Sequence, residues 1–130
     1  MKSTARLRSP CKSILLVEDD QLIRETLAVC LRSEGYDVSE AANGSEGLER
    51  LRETRSTGLV LLDLMMPTMT GWEFLAAKAT DSLIADIPVI VMSAVAGKSC
   101  LGAASTFQKP VDLSVLLAKV QLYCGSPSTG

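Results

Sequence analysis

"LVLLDLMMPTMTG", residues 59–71, decides the reading of this chain. Four apolar residues, Leu59 to Leu62, run without alternation into Asp63, and the segment then passes through Pro67 to Gly71. An unbroken apolar run of this length is the pattern of a strand covered on both faces, as in a parallel sheet between layers of helices. A carboxylate directly behind such a strand is costly unless a specific partner holds it.

The same grammar repeats on either side. "SILLVEDD" (13–20) is a second buried run ending in acids, and "QLIRETLAVCLRSEG" (21–35) sets Ile23, Leu27, Cys30, Leu31 and Glu34 at helical spacing before Gly35. "YDVSEA" (36–41) alternates as a short strand; Asn43 with Glu46 three residues on makes an N-cap pattern, and its helix runs through "GLERLRET" to end near Gly58. After Gly71, "WEFLAAKATDSL" (72–83) predicts a helix with Trp72, Leu75, Ala76 and Ala79 on its core face. "IPVIVMSA" (87–94) is a fourth strand and "STFQKP" (105–110) a short fifth. Asp112 then caps a last helix carrying Leu113, Leu116, Leu117, Val120 and Cys124 in one stripe. Strands alternating with helices predict an α/β doubly wound, five-stranded parallel sheet. One domain is expected over 13–124, behind a flexible leader (1–12) and before a tail or linker (125–130).

Composition narrows the function. With 130 residues, 47% hydrophobic residues and a net charge of −2, the chain has the size of one domain and no basic run that would favour direct contact with nucleic acid. No apolar stretch reaches the roughly 18 residues that span a bilayer. Cys11, Cys30, Cys100 and Cys124 lack CxxC spacing, and with no histidine in the chain a common zinc site is excluded. They read as reduced thiols, which places the chain in the cytoplasm.

In doubly wound folds the functional crevice lies beyond the carboxyl ends of the strands. Glu18, Asp19 and Asp20 follow the first strand, Asp63 the third, Ser93 the fourth, and Lys109, ahead of Pro110, the fifth. Asp20 reads as the cap of the first helix. Two carboxylates about 4 Å apart repel by roughly 4 kcal/mol at an effective dielectric of 20, so a cation is required. Hard oxygen donors with open positions suit Mg²⁺. Asp63 is then placed to attack a phosphoryl group, with Lys109 neutralising charge on the phosphoryl oxygens and Ser93 hydrogen-bonding the product.

"ILLVEDD", "LVLLDLMMPTMTG", "IPVIVMSA" and "FQKP", in this order and spacing, resemble the receiver domain of two-component response regulators over Ser13 to Cys124. The resemblance implies a flavodoxin-like fold with strand order 2-1-3-4-5. It also implies a phosphorylation-dependent signalling switch that takes a phosphoryl group onto Asp63 from the phosphohistidine of a sensor histidine kinase or a histidine phosphotransfer protein. Asp19 aligns with the direct Mg²⁺ ligand, Glu18 acts through bound water, Asp63 shares the ion, and Met65 supplies its backbone carbonyl. Lys109 contacts the phosphoryl group across a cis bond to Pro110, and Ser93 is the switch hydroxyl. Such a domain catalyses only its own modification and is not a turnover enzyme; its downstream protein target is unspecified.

The chain also departs from the family. Fifteen residues separate Ser93 from Lys109, which predicts a shortened or irregular fourth helix. Thr106 stands at the family's aromatic switch position and Phe107 one residue later, hence on the opposite face of the strand. The resemblance further implies that Met65 and Val95 flank the phosphoryl site; neither side chain positions a hydrolytic water well, which predicts slow autodephosphorylation. The alternative function is a phosphorylation-independent interaction module on the same fold. A flavodoxin would need a phosphate loop where "VEDD" stands, and a haloacid-dehalogenase-type phosphatase a DxD motif after the first strand.

Overall fold

The structure, a computed structural model, describes residues 13–54, 56–64, 66, 69–93, 103–109 and 111–125. Its strands are β1 (Ser13–Val17), β2 (Asp37–Ala41), β3 (Thr57–Asp63), β4 (Val89–Ser93) and β5 (Ser105–Gln108). They form one parallel sheet in the order β2-β1-β3-β4-β5, the expected flavodoxin-like topology. The helices among the described residues are α1 (Gln21–Ser33), α2 (Gly44–Glu53), α3 (Gly71–Ala79) and α4 (Leu113–Cys124).

The unbroken apolar runs explain the two-sided core. In β1, Leu15 and Val17 face α2 and α3, where they meet Leu48, Leu51 and Phe74. Ile14 and Leu16 face α1 and α4, where they meet Leu27, Leu31, Leu116 and Val120. Alternation sends successive side chains to opposite faces, and both faces are apolar only because both are covered.

Each helix begins on a side-chain cap. The Ile23 amide donates to Asp20 Oδ1 at 3.1 Å, the Glu46 amide to Asn43 Oδ1 at 2.9 Å and the Val115 amide to Asp112 Oδ1 at 3.4 Å. Thr70 and Glu73 make a reciprocal capping box at the start of α3. Gly35, at φ 100, ends α1 in the left-handed region that glycine adopts freely.

Three expectations are corrected. Helix α2 stops at Glu53 rather than near Gly58, because Thr54 turns extended and Gly58 is taken up into β3. The buried face of α3 is Gly71, Phe74, Leu75 and Lys78, whereas Trp72 is 45% exposed and Ala76 and Ala79 face solvent. Gly71 fixes that rotation by lying against the backbone of Leu64, and Lys78 is tolerated inside because its Nζ donates to the Ala85 carbonyl at 2.8 Å. Among the cysteines, Cys30 is a free thiol but Cys124 is disulfide-bonded, so the reading of four reduced thiols fails; short-range spacing carries no information on a long-range bridge. Cys11, Cys100, Met65, Val95, Pro110 and the expected fourth helix within 94–102 lie outside the described residues.

Candidate functional site

The carboxyl ends of β1, β3, β4 and β5 converge as the topology requires. Glu18 continues β1, its amide donating to the Ala41 carbonyl at 3.0 Å, and its side chain is only 1% exposed. Glu18 Oε2 accepts from the Asp20 amide at 3.2 Å, which aims Oε1 across the sheet toward Lys109. Arg24, one turn into α1, donates to the Glu18 carbonyl at 2.8 Å and pairs with Glu40 at 3.3 Å, pinning the loop on which the acids sit. Nothing in the local sequence pattern marked Arg24; its role is visible only once α1 is laid against β2.

Asp63 is the last residue of β3 and is 3% exposed. The loop behind it closes tightly, the Gly71 amide donating to the Leu64 carbonyl at 2.8 Å. A Cβ at position 71 would lie 2.7 Å from Leu64 Cα and 2.9 Å from the Asp63 carbonyl oxygen. Only glycine fits there, which explains how the opening segment ends.

Glu18, Asp19 and Asp63 place carboxylate oxygens within 4.8 Å of one another, two of these residues buried and Asp19 exposed. Lys109 answers part of that charge: its Nζ lies 2.8 Å from Glu18 Oε1 and 3.4 Å from Asp63 Oδ1. Burial, helped by the Glu18 charge, pushes the Asp63 carboxyl from 3.8 up to about 7 against the lowering effect of Lys109. For Lys109, burial works against the ammonium, but its hydrogen bond and charge pairing with Glu18, then Asp63, outweigh this and raise its pKa. Ser93 closes β4, 1% exposed, and its carbonyl accepts from the Lys109 amide at 2.6 Å, tying the ends of β4 and β5 together.

The structure thus brings Glu18, Asp19, Asp63, Ser93 and Lys109 to one edge, with Asp20 in the capping role. Three carboxylates around one point, only partly offset by a lysine, suit a hard divalent cation with oxygen ligands. On β5, Phe107 packs with Met92 in the α1/α4 layer while Thr106 is exposed on the other face. The two residues do not substitute for each other.

Comparison with known proteins agrees with this geometry. The response regulator receiver domain pattern matches residues 14–121. The transcriptional regulatory protein CrdR of Helicobacter pylori is 36% identical over 118 residues, covering 86% of this chain and 54% of that protein. AfsQ1 of Streptomyces coelicolor is 38% identical over 117 residues, covering 84% of this chain and 49% of that protein. The chain spans about half the length of the curated relatives it matches. Among solved structures, the response regulator TrrA of Thermotoga maritima, in complex with Mg²⁺ and BeF, superposes with a TM-score of 0.77 at 31% identity, over 86% of this chain and 98% of that one. The chain belongs to the response regulator receiver domain family, the phosphorylation-dependent switches of two-component signalling.

Proposed function

We propose that this chain works by accepting a phosphoryl group on Asp63. The observation that carries the reading is Lys109, held between Glu18 and Asp63 beside a three-carboxylate cluster. An Asp63 oxygen bonds to the phosphorus as the P–N bond to a donor imidazole breaks, and the imidazole leaves with the electron pair. The lysine ammonium is in reach of the transferred oxygens, and Ser93 sits one residue beyond the strand partner of Asp63, placed to receive the modified group. Glu18, Asp19 and Asp63 would hold Mg²⁺, with Met65 as a further ligand through its carbonyl; bound there, the ion would neutralise charge on the phosphoryl group. The step is a stoichiometric self-modification rather than turnover of a substrate.

The donor in this reading is a sensor histidine kinase or histidine phosphotransfer protein, since the chain has no histidine of its own. The receiver of the signal in this reading is another protein surface. No helix of the described residues is long and apolar enough to cross a membrane. CrdR and AfsQ1, named as transcriptional regulatory proteins, extend well beyond the matched region, which covers 54% and 49% of them.

Intact mass after incubation with acetyl phosphate, with and without Mg²⁺, tests the acceptor. One added phosphoryl group that needs both Mg²⁺ and Asp63 is expected. No gain from acetyl phosphate or from kinase donors would leave the phosphorylation-independent interaction module as the function. Once loaded, the isolated domain should lose its phosphoryl group over minutes to hours, because methionine and valine, at the positions the family resemblance sets beside the phosphoryl group, carry no side chain that would orient water; a half-life of seconds by the same mass assay would contradict this.

A further inference from the structure

A groove of about 540 Å³ opens beside the site, between the first turns of α1 and the start of α4. Leu22, Ile23 and Leu27 wall one side, Val111 and Leu113 the other, and Met92 and Lys109 line the end nearest the carboxylates. We infer that this groove is an acyl-chain subsite, so that the small phosphodonors this chain takes best are acyl phosphates longer than acetyl phosphate. The inference rests on Asp63 being the acceptor.

Three observations carry it. Met92 is the in-register partner of Asp63 on the neighbouring strand, so both side chains leave the sheet toward α1 and α4. Met92 is itself fully buried and lies beneath the floor of the groove, so the groove opens one side chain away from the reacting carboxylate. Lys109 serves both places, its stem bordering the groove while its ammonium contacts Asp63 and Glu18. It is also the groove's single charge, a cation beside an otherwise apolar lining of Leu, Ile, Met and Val with one threonine. Finally, Leu22 is 74% exposed and Ile23 37%, leaving apolar surface uncovered at the mouth.

An acyl phosphate divides its chemistry the same way, into a dianionic phosphoryl group for Lys109 and an alkyl chain for the groove. An Asp63 carboxylate oxygen bonds to phosphorus while the bond from phosphorus to the acyl oxygen breaks, and the free carboxylate leaves with the electron pair. No proton, oxidant or reductant enters the balance. The leaving oxygen departs on the side of phosphorus away from Asp63, and the flexible chain turns back from it along Ile23 and Leu22.

The test measures initial rates of mass gain with acetyl, butanoyl and hexanoyl phosphate at equal, subsaturating concentration with Mg²⁺. A half-covered methylene contributes about a twofold gain, half in free energy of what full burial gives, so hexanoyl phosphate should react about 15-fold faster than acetyl phosphate. In the double variant Leu22→Asn/Ile23→Asn the three rates should fall within about twofold of one another. Equal rates in the wild type would overturn the inference, as would happen if the groove serves only a protein partner; so would a chain-length gain that survives the double variant. Hexylphosphonate, which cannot transfer its phosphorus, separates this outcome from failure of the acceptor reading. It should bind the wild type, but not the double variant, more tightly than methylphosphonate, and equal binding of the two by the wild type would overturn the subsite whether or not Asp63 is phosphorylated.

Discussion

Asp63 reaches the site on a strand of seven residues paired on both sides, whereas Lys109 reaches it from a strand of four at the edge of the sheet. β3 is buried on both faces through its last five residues; β5 alternates between half-buried and exposed. The acid is held by packing and the base by its ion pairs. A carboxylate fixed this firmly cannot move away from Glu18, so its charge must be met by something that comes to it. Lys109, just past the end of the edge strand, is the partner that meets that charge here, through its ion pairs to Asp63 and Glu18. A buried acceptor with its counter-charge beside it suits a site that gains about one further unit of negative charge when its carboxylate is phosphorylated.

The largest expected effect breaks the β3 side. Asp63→Asn should abolish phosphorylation by any donor, read by intact mass, and at pH 8 raise the urea midpoint by removing a buried charge beside Glu18. Lys109→Ala breaks the β5 side. It should slow phosphorylation by about 100-fold, the scale of losing one charged stabiliser of the transferring group, with acetyl phosphate rates as the measure.

A pH titration sharpens the comparison without mutation. The folded-state pKa of Asp63, about 7, lies above its ordinary 3.8, so its contribution to stability is complete below 3.8 and is lost as pH rises through about 7. Mg²⁺ must displace that proton, so its affinity should climb about tenfold per pH unit up to about 7 and level off above, followed by calorimetry. An affinity that stays flat from pH 5 to 8 would mean Asp63 is already ionised. The smallest effects lie within β5. Phe107→Ala should cost about 1–2 kcal/mol, being partly buried, and Thr106→Ala less than about 0.5 kcal/mol, both by denaturant unfolding. Equal costs would place both side chains against the core.

Much of this architecture is legible in the chain itself. The unbroken runs "ILLV" and "LVLL" required cover on both faces, and the caps Asp20, Asn43 and Asp112 set where helices begin, because these are local properties of backbone and side chain. The positions of Glu18, Asp19, Asp63, Ser93 and Lys109 at strand ends follow from the same pattern together with the crossover rule for parallel sheets. Helix phase does not follow: Trp72 and Ala76 read as a core face, yet the contact of Gly71 with Leu64 rotates α3 to bury Phe74 and Lys78. The Arg24 clamp on Glu18, the Cys124 bridge and the groove beside Met92 were equally invisible. The sequence by itself determined which elements form and which residues stand at their ends, since those depend on neighbours along the chain. Only the tertiary structure decided which charges meet, how far Asp63 is shifted and what apolar surface stays open, because distance, burial and dielectric belong to neighbours in space.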